Sequence, residues 1–69
     1  MTAPCGVELE IGQVWIGFPD GFRMKMTVIG FDEAASTVAV CWEDGVADSQ
    51  PLDQFRADNR GGYRLIANP

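Results

Sequence analysis

Two short runs that alternate apolar and polar residues constrain this chain more than any other feature. In Arg23-Met24-Lys25-Met26-Thr27-Val28 the period is two, so Met24, Met26 and Val28 share one face and Arg23, Lys25 and Thr27 the other. Thr37 to Glu43 repeats the pattern, with Val38, Val40 and Trp42 pointing one way and Thr37, Ala39, Cys41 and Glu43 the other. Asp44-Gly45 follows at once, a signal for a type I′ hairpin whose central residues both take positive φ. Val46 to Gln50 therefore pairs back as a further strand. Between the two runs, Ile29-Gly30-Phe31 breaks the phase, and a glycine there suits a β-bulge or a sharp bend.

The remaining elements are short. Gln13 to Phe18 is rich in strand formers and precedes the turn Pro19-Asp20-Gly21. Asp32 to Ser36 reads as a loop. Pro51 to Arg56 suits one helical turn, with Leu52 and Phe55 three apart on the side that caps the core. Asn59-Arg60-Gly61-Gly62 is a turn, and Tyr63 to Ile66 is a brief closing strand. No run suits a helix of three turns. The prediction is an all-β fold: a five-stranded barrel with one short helical turn before the last strand, closed so that few sheet edges stay open. Its expected limits are a tail over 1–11, one domain over 12–66 and an end over 67–69. Sixty-nine residues with 46% hydrophobic content allow one core. At this size burial exceeds conformational entropy by only about 3–5 kcal/mol, which makes a homo-oligomer an expected source of support.

Formal charge is −5, and the acids are bunched. Asp32, Glu33, Glu43, Asp44, Asp48, Asp53 and Asp58 fall in a stretch whose single base is Arg56, a field that repels phosphate backbones and disfavours nucleic acid as a partner. Arg23, Lys25, Arg60 and Arg64 lie outside it. Cys5 and Cys41 sit in unlike contexts and do not suggest a disulfide framework. No apolar run approaches the roughly 20 residues of a membrane helix, and Met-Thr-Ala-Pro-Cys has neither part of a signal peptide, so the expected location is the cytoplasm.

The strand order, the bent second strand, the Val38-Ala39-Val40-Cys41-Trp42-Glu43-Asp44-Gly45 hairpin and the Pro51-Leu52-Asp53-Gln54-Phe55 turn together resemble Src-homology-3-like barrels, the Tudor and chromo groups included. The resemblance runs from Gly12 to Ile66. The chain is also similar in shape to the plasmid-borne, trimethoprim-resistant dihydrofolate reductases: Gly12-Gln13-Val14-Trp15, Val28-Ile29-Gly30 and Pro51-Leu52 stand near that family's opening strand, central strand and closing turn. That family's Val-Gln-Ile-Tyr segment before the proline is replaced here by Ala47-Asp48-Ser49-Gln50, so its folate and cofactor contacts are not carried over.

With no histidine, the chain lacks the usual acid–base group, Ser-His and Cys-His nucleophile pairs and the commonest metal ligand. No zinc, calcium or phosphate-loop spacing occurs. The reading is therefore non-enzymatic, with no cofactor and no metal. What remains is aromatic and acidic: Trp15, Phe18, Asp20 and Phe22 around the first turn, and Trp42, Glu43 and Asp44 at the hairpin. In Tudor and chromo modules comparable aromatics cage a methylated cation, which the resemblance extends to these seven residues as a site for a protein, a basic peptide or a small cationic ligand. Two uses stand open for the rings, since a chain this small also needs Trp42, Phe31, Phe55 and Trp15 to fill its core. Met24 and Met26 are read as core filling. The alternative function is a self-assembling barrel, of the kind a mobile genetic element carries, binding a small molecule at a pore or subunit interface.

Overall fold

The computed structural model describes residues 1–18, 21–57 and 62–69. The alternating runs become antiparallel strands: β1 Val14–Gly17, β2 Met24–Asp32, β3 Thr37–Trp42, β4 Ala47–Pro51 and β5 Arg64–Ala67. They form one sheet in the order β4-β3-β2-β1-β5. A 3-10 turn at Leu52–Gln54 lies between β4 and β5, and no α-helix occurs among the described residues. None of their helices is long and apolar enough to cross a membrane.

Register explains the core. Trp15 stands opposite Met26, Met26 opposite Trp42, and Val28 opposite Val40, so one face of the sheet stacks its apolar residues in rows. Trp15, Met26, Val28, Val38 and Val40 are fully buried, whereas Lys25 on the other face is exposed. Period two has sorted the side chains as the sequence implied. Phe55, just past the 3-10 turn, completes the core by meeting Trp15 edge to face at 5.0 Å and Tyr63 at 5.2 Å.

Five details depart from the sequence reading. The register of β2 and β3 shifts between Val28 and Gly30, so the bulge falls where the phase broke, but Gly30 has no positive φ and a Cβ there would meet only Ala39 at 3.7 Å. The bulge does not depend on glycine. Phe31, expected in the core, is exposed beyond the bulge, and the core cluster draws on Ala3 and Leu9 instead.

Those two residues come from 1–11, read as a tail. Thr2 bridges Glu8, the Ala3 N–H donates to the Val7 carbonyl at 2.8 Å, and Leu9 N–H to Met1 at 2.9 Å. The segment is a small hairpin folded onto the domain. A radius of gyration of 10.7 Å, against about 11 Å for a folded chain of this length, agrees with its inclusion.

The β3–β4 hairpin is not type I′. Positive φ occurs at Gly45 (90°) and not at Asp44, while Gly45 N–H reaches the Trp42 carbonyl at 2.8 Å and Trp42 N–H the Val46 carbonyl at 2.9 Å. This is a three-residue loop whose glycine sits in the left-handed bulge position. The Asp44 carboxylate accepts the Val46 N–H at 3.1 Å, which the turn would otherwise leave unpaired.

Finally, the sheet is not closed into a barrel. Among the described residues no ladder joins β4 to β5. At Tyr63, just before β5, the N–H donates to the Gln54 carbonyl at 2.7 Å and the carbonyl accepts from Ala57 N–H at 3.0 Å, so these backbone groups are taken by the 3-10 turn and the chain after it. The exposed edge at β4 is blunted. Ser49 N–H is taken by the Asp48 carboxylate at 2.8 Å, and Pro51 has no N–H to offer.

Candidate interaction site at one end of the sheet

Antiparallel pairing brings the end of β1, the start of β2, the end of β3, the start of β4 and the start of β5 together, since Gly17 faces Met24, Met26 faces Trp42, Cys41 faces Ala47 and Ile16 faces Arg64. The loop after β1 and the β3–β4 hairpin therefore share one end. Six of the seven residues singled out by sequence are described, and they divide.

Trp15 and Trp42 are core. Trp15 is 0% exposed, edge to face with Phe55, with its indole N–H donated to the Gln13 side chain at 3.3 Å. Neither ring face is open. Trp42 is 7% exposed and lies against Gly17, where a Cβ would come within 2.8 Å of the ring. Its N–H donates to Asp48 at 3.2 Å.

Phe18 and Phe22 are at the surface, 39% and 73% exposed. Glu43 and Asp44 are exposed on the hairpin at the same end of the sheet, though Asp44 also holds the turn. Lys25 is a near neighbour, since its carbonyl accepts the Glu43 N–H at 3.0 Å. Asp20 lies outside the described residues, as do Pro19 and most of the turn expected at Asn59 to Gly62.

The sequence reading missed a polar chain at the same end. Asp48 and Gln50 sit opposite Val40 and Val38, hence in the inward phase of β4. One oxygen of Asp48 accepts from both Trp42 Nε1 and Gln50 Nε2, the latter at 2.7 Å, which turns Gln50 Oε1 toward the Tyr63 hydroxyl at 2.5 Å. This row of side chains spans the seam that the backbone leaves open. The Trp42 N–H, the Ser49 backbone N–H and Gln50 hold Asp48 below its ordinary range against a small opposing effect of burial. Partial burial raises Tyr63, and the nearby Asp48 and Asp53 charges add to it. The signal was present as two polar residues at i and i+2 opposite two core valines.

Gln13 was missed as well. It is 1% exposed, and its carboxamide accepts from Glu10 N–H at 3.1 Å and Trp15 while donating to the Glu8 carbonyl at 3.0 Å and Asn68 at 3.3 Å. It ties both ends of the chain to β1. Among the described residues no group of three or more His, Cys, Asp or Glu side chains could hold a metal, and both thiols are free and half-buried. The chain matches no family model, no curated protein and no solved structure, so the site stands on its own geometry.

Proposed function

We propose that the protein is a non-enzymatic interaction module of Src-homology-3-like build, and that it binds a protein or basic peptide through the surface of Phe18, Phe22, Glu43 and Asp44. The observation that carries this is the exposure of two phenylalanines at the end of the sheet that also carries an acidic hairpin, in a chain small enough to need every ring for its core. Burying Phe22 on a partner would recover about 1.5–3 kcal/mol of apolar transfer energy that the isolated chain forgoes. The carboxylates add attraction for a cationic partner and set its orientation. With both tryptophans committed to the core, the cation would meet phenylalanine and carboxylate and not an indole cage.

Fluorescence anisotropy with a labelled Arg/Lys-rich peptide, with and without a trimethylated lysine, tests this. Phe22→Ala is expected to weaken binding about tenfold or more, and raising salt from 50 to 300 mM, values chosen for roughly a halved screening length, to weaken it further. Unchanged affinity in both Phe18→Ala and Phe22→Ala removes the surface from consideration. The self-assembling alternative has less to support it, because the edge at β4 carries its own protection against pairing.

A further inference from the structure

We propose that a groove at the opposite end of the sheet binds a small organic cation, an amine or guanidinium on an apolar body. This rests on different residues from the loop surface above and does not require it. The groove, about 510 Å³, lies where three segments meet: the N-terminal hairpin, the β2–β3 turn and the junction of β4 with the 3-10 turn. That volume is within the range of about 300–1,000 Å³ common for small-ligand sites, although this groove is open to solvent and Leu52 is its one half-buried lining residue.

The walls are fixed without a ligand. Leu52 N–H donates to the Ser36 carbonyl at 3.0 Å, joining the 3-10 turn to the β2–β3 turn. Ala35 N–H is held by the Asp32 carboxylate at 3.1 Å, and the Thr2 hydroxyl donates to Glu8 at 2.6 Å. Pro4 and Pro51 add restricted backbone on two sides. Ser36 itself holds φ at 54°, a conformation that a non-glycine residue keeps only where its surroundings enforce it. A preformed groove loses little order on binding, which favours a small ligand.

Charge selects the ligand's sign. Asp53 is the one charged side chain in the lining, and among the described residues its carboxylate makes no hydrogen bond or ion pair. The adjoining turn adds Asp32 and Glu33, and no lysine or arginine lines the groove. Pro4, Ala35, Pro51 and Leu52 offer the apolar surface for the ligand's body. An anion would meet the like charge of Asp53, and a neutral apolar molecule would gain nothing from that carboxylate.

The test is a titration of the isotopically labelled chain with benzylamine, followed by backbone amide shifts, with benzyl alcohol as the neutral counterpart. Saturable shifts are expected at Ser36, Leu52 and Asp53 with a Kd of about 1 mM, as befits a ligand of eight heavy atoms. The alcohol should bind about threefold more weakly, as an exposed ion pair allows, and Asp53→Asn should erase that preference while the amide spectrum stays folded. A bulky variant of the exposed turn, Ala35→Trp, should block both ligands. No saturable shift, equal affinity for amine and alcohol, or shifts centred on Phe18 and Phe22 would each overturn the proposal; the last would move the cation to the loop surface.

Discussion

Replacing Gln13 with leucine removes the one buried polar side chain recorded among the described residues at nearly constant volume. Four hydrogen bonds go with it, but they are not equal. The Trp15 N–H belongs to a fully buried ring and loses its partner without access to water, at about 1–3 kcal/mol. The Glu10 N–H, the Glu8 carbonyl and the Asn68 amide are on exposed residues and can turn to solvent, so each costs about 0.5 kcal/mol. Leucine returns roughly 1 kcal/mol through its own burial. The net is a loss of about 1.5–3.5 kcal/mol, out of the roughly 3–5 kcal/mol a chain this size holds. Urea titration followed by tryptophan fluorescence and far-UV circular dichroism should show the midpoint falling by half or more. A double-mutant cycle isolates the cause: in a Trp15→Phe background, which has no indole N–H to strand, the cost of Gln13→Leu should shrink by about 1 kcal/mol or more. A Gln13→Leu variant as stable as the parent, or a cycle showing no coupling, would refute the view that this carboxamide binds the two ends of the chain to the core.

Three further outcomes follow from the seam. Gly17→Ala places a methyl 2.8 Å from the Trp42 ring and 3.4 Å from Tyr63, and with Trp42 tethered to Asp48 the clash should cost about 1–3 kcal/mol in thermal or urea unfolding, whereas Gly30→Ala should be nearly neutral. On the acid side, Asp48 is held below its unfolded value, so its contribution is present above about pH 4 and is lost as pH falls through the lowered folded value; Asp48→Asn should flatten that part of a stability–pH curve. On the alkaline side Tyr63 is raised, so its contribution is complete below pH 10.0 and is lost as pH climbs through the folded value; Tyr63→Phe should remove this alkaline decline, and its persistence would place the cause elsewhere.

How much was legible in the sequence varies by element. β2 and β3 were plain because alternation needs only neighbours along the chain, and their register followed once Val28, Val40, Met26 and Trp42 had to share a face. Phe55 as a cap was readable from its spacing with Leu52, since three residues make one turn. The hairpin turn was misread in type because Asp-Gly serves two loop lengths, and the choice depended on the Asp44 side chain pairing with Val46. The site was half legible: exposure of Phe18 and Phe22 agrees with their loop position, but a tryptophan in a strand carries no mark of whether its ring will face a ligand or a core.

By itself the sequence determined the class of fold, because a period of two, punctuated by glycine and proline, admits strands and little else. It also determined which faces are apolar. Only the tertiary structure decided which partners those faces would meet: that Ala3 and Leu9 would join the core while Phe31 stays exposed, that Gln13 would be buried and satisfied from four directions, and that Tyr63, Gln50 and Asp48 would bridge a seam the backbone leaves unpaired. The physical reason is the range of the interactions. Alternation and turn chemistry act over a few bonds, whereas a buried carboxamide or a closing hydrogen bond is favourable only when residues as distant as Gln13 and Asn68 have already been brought together.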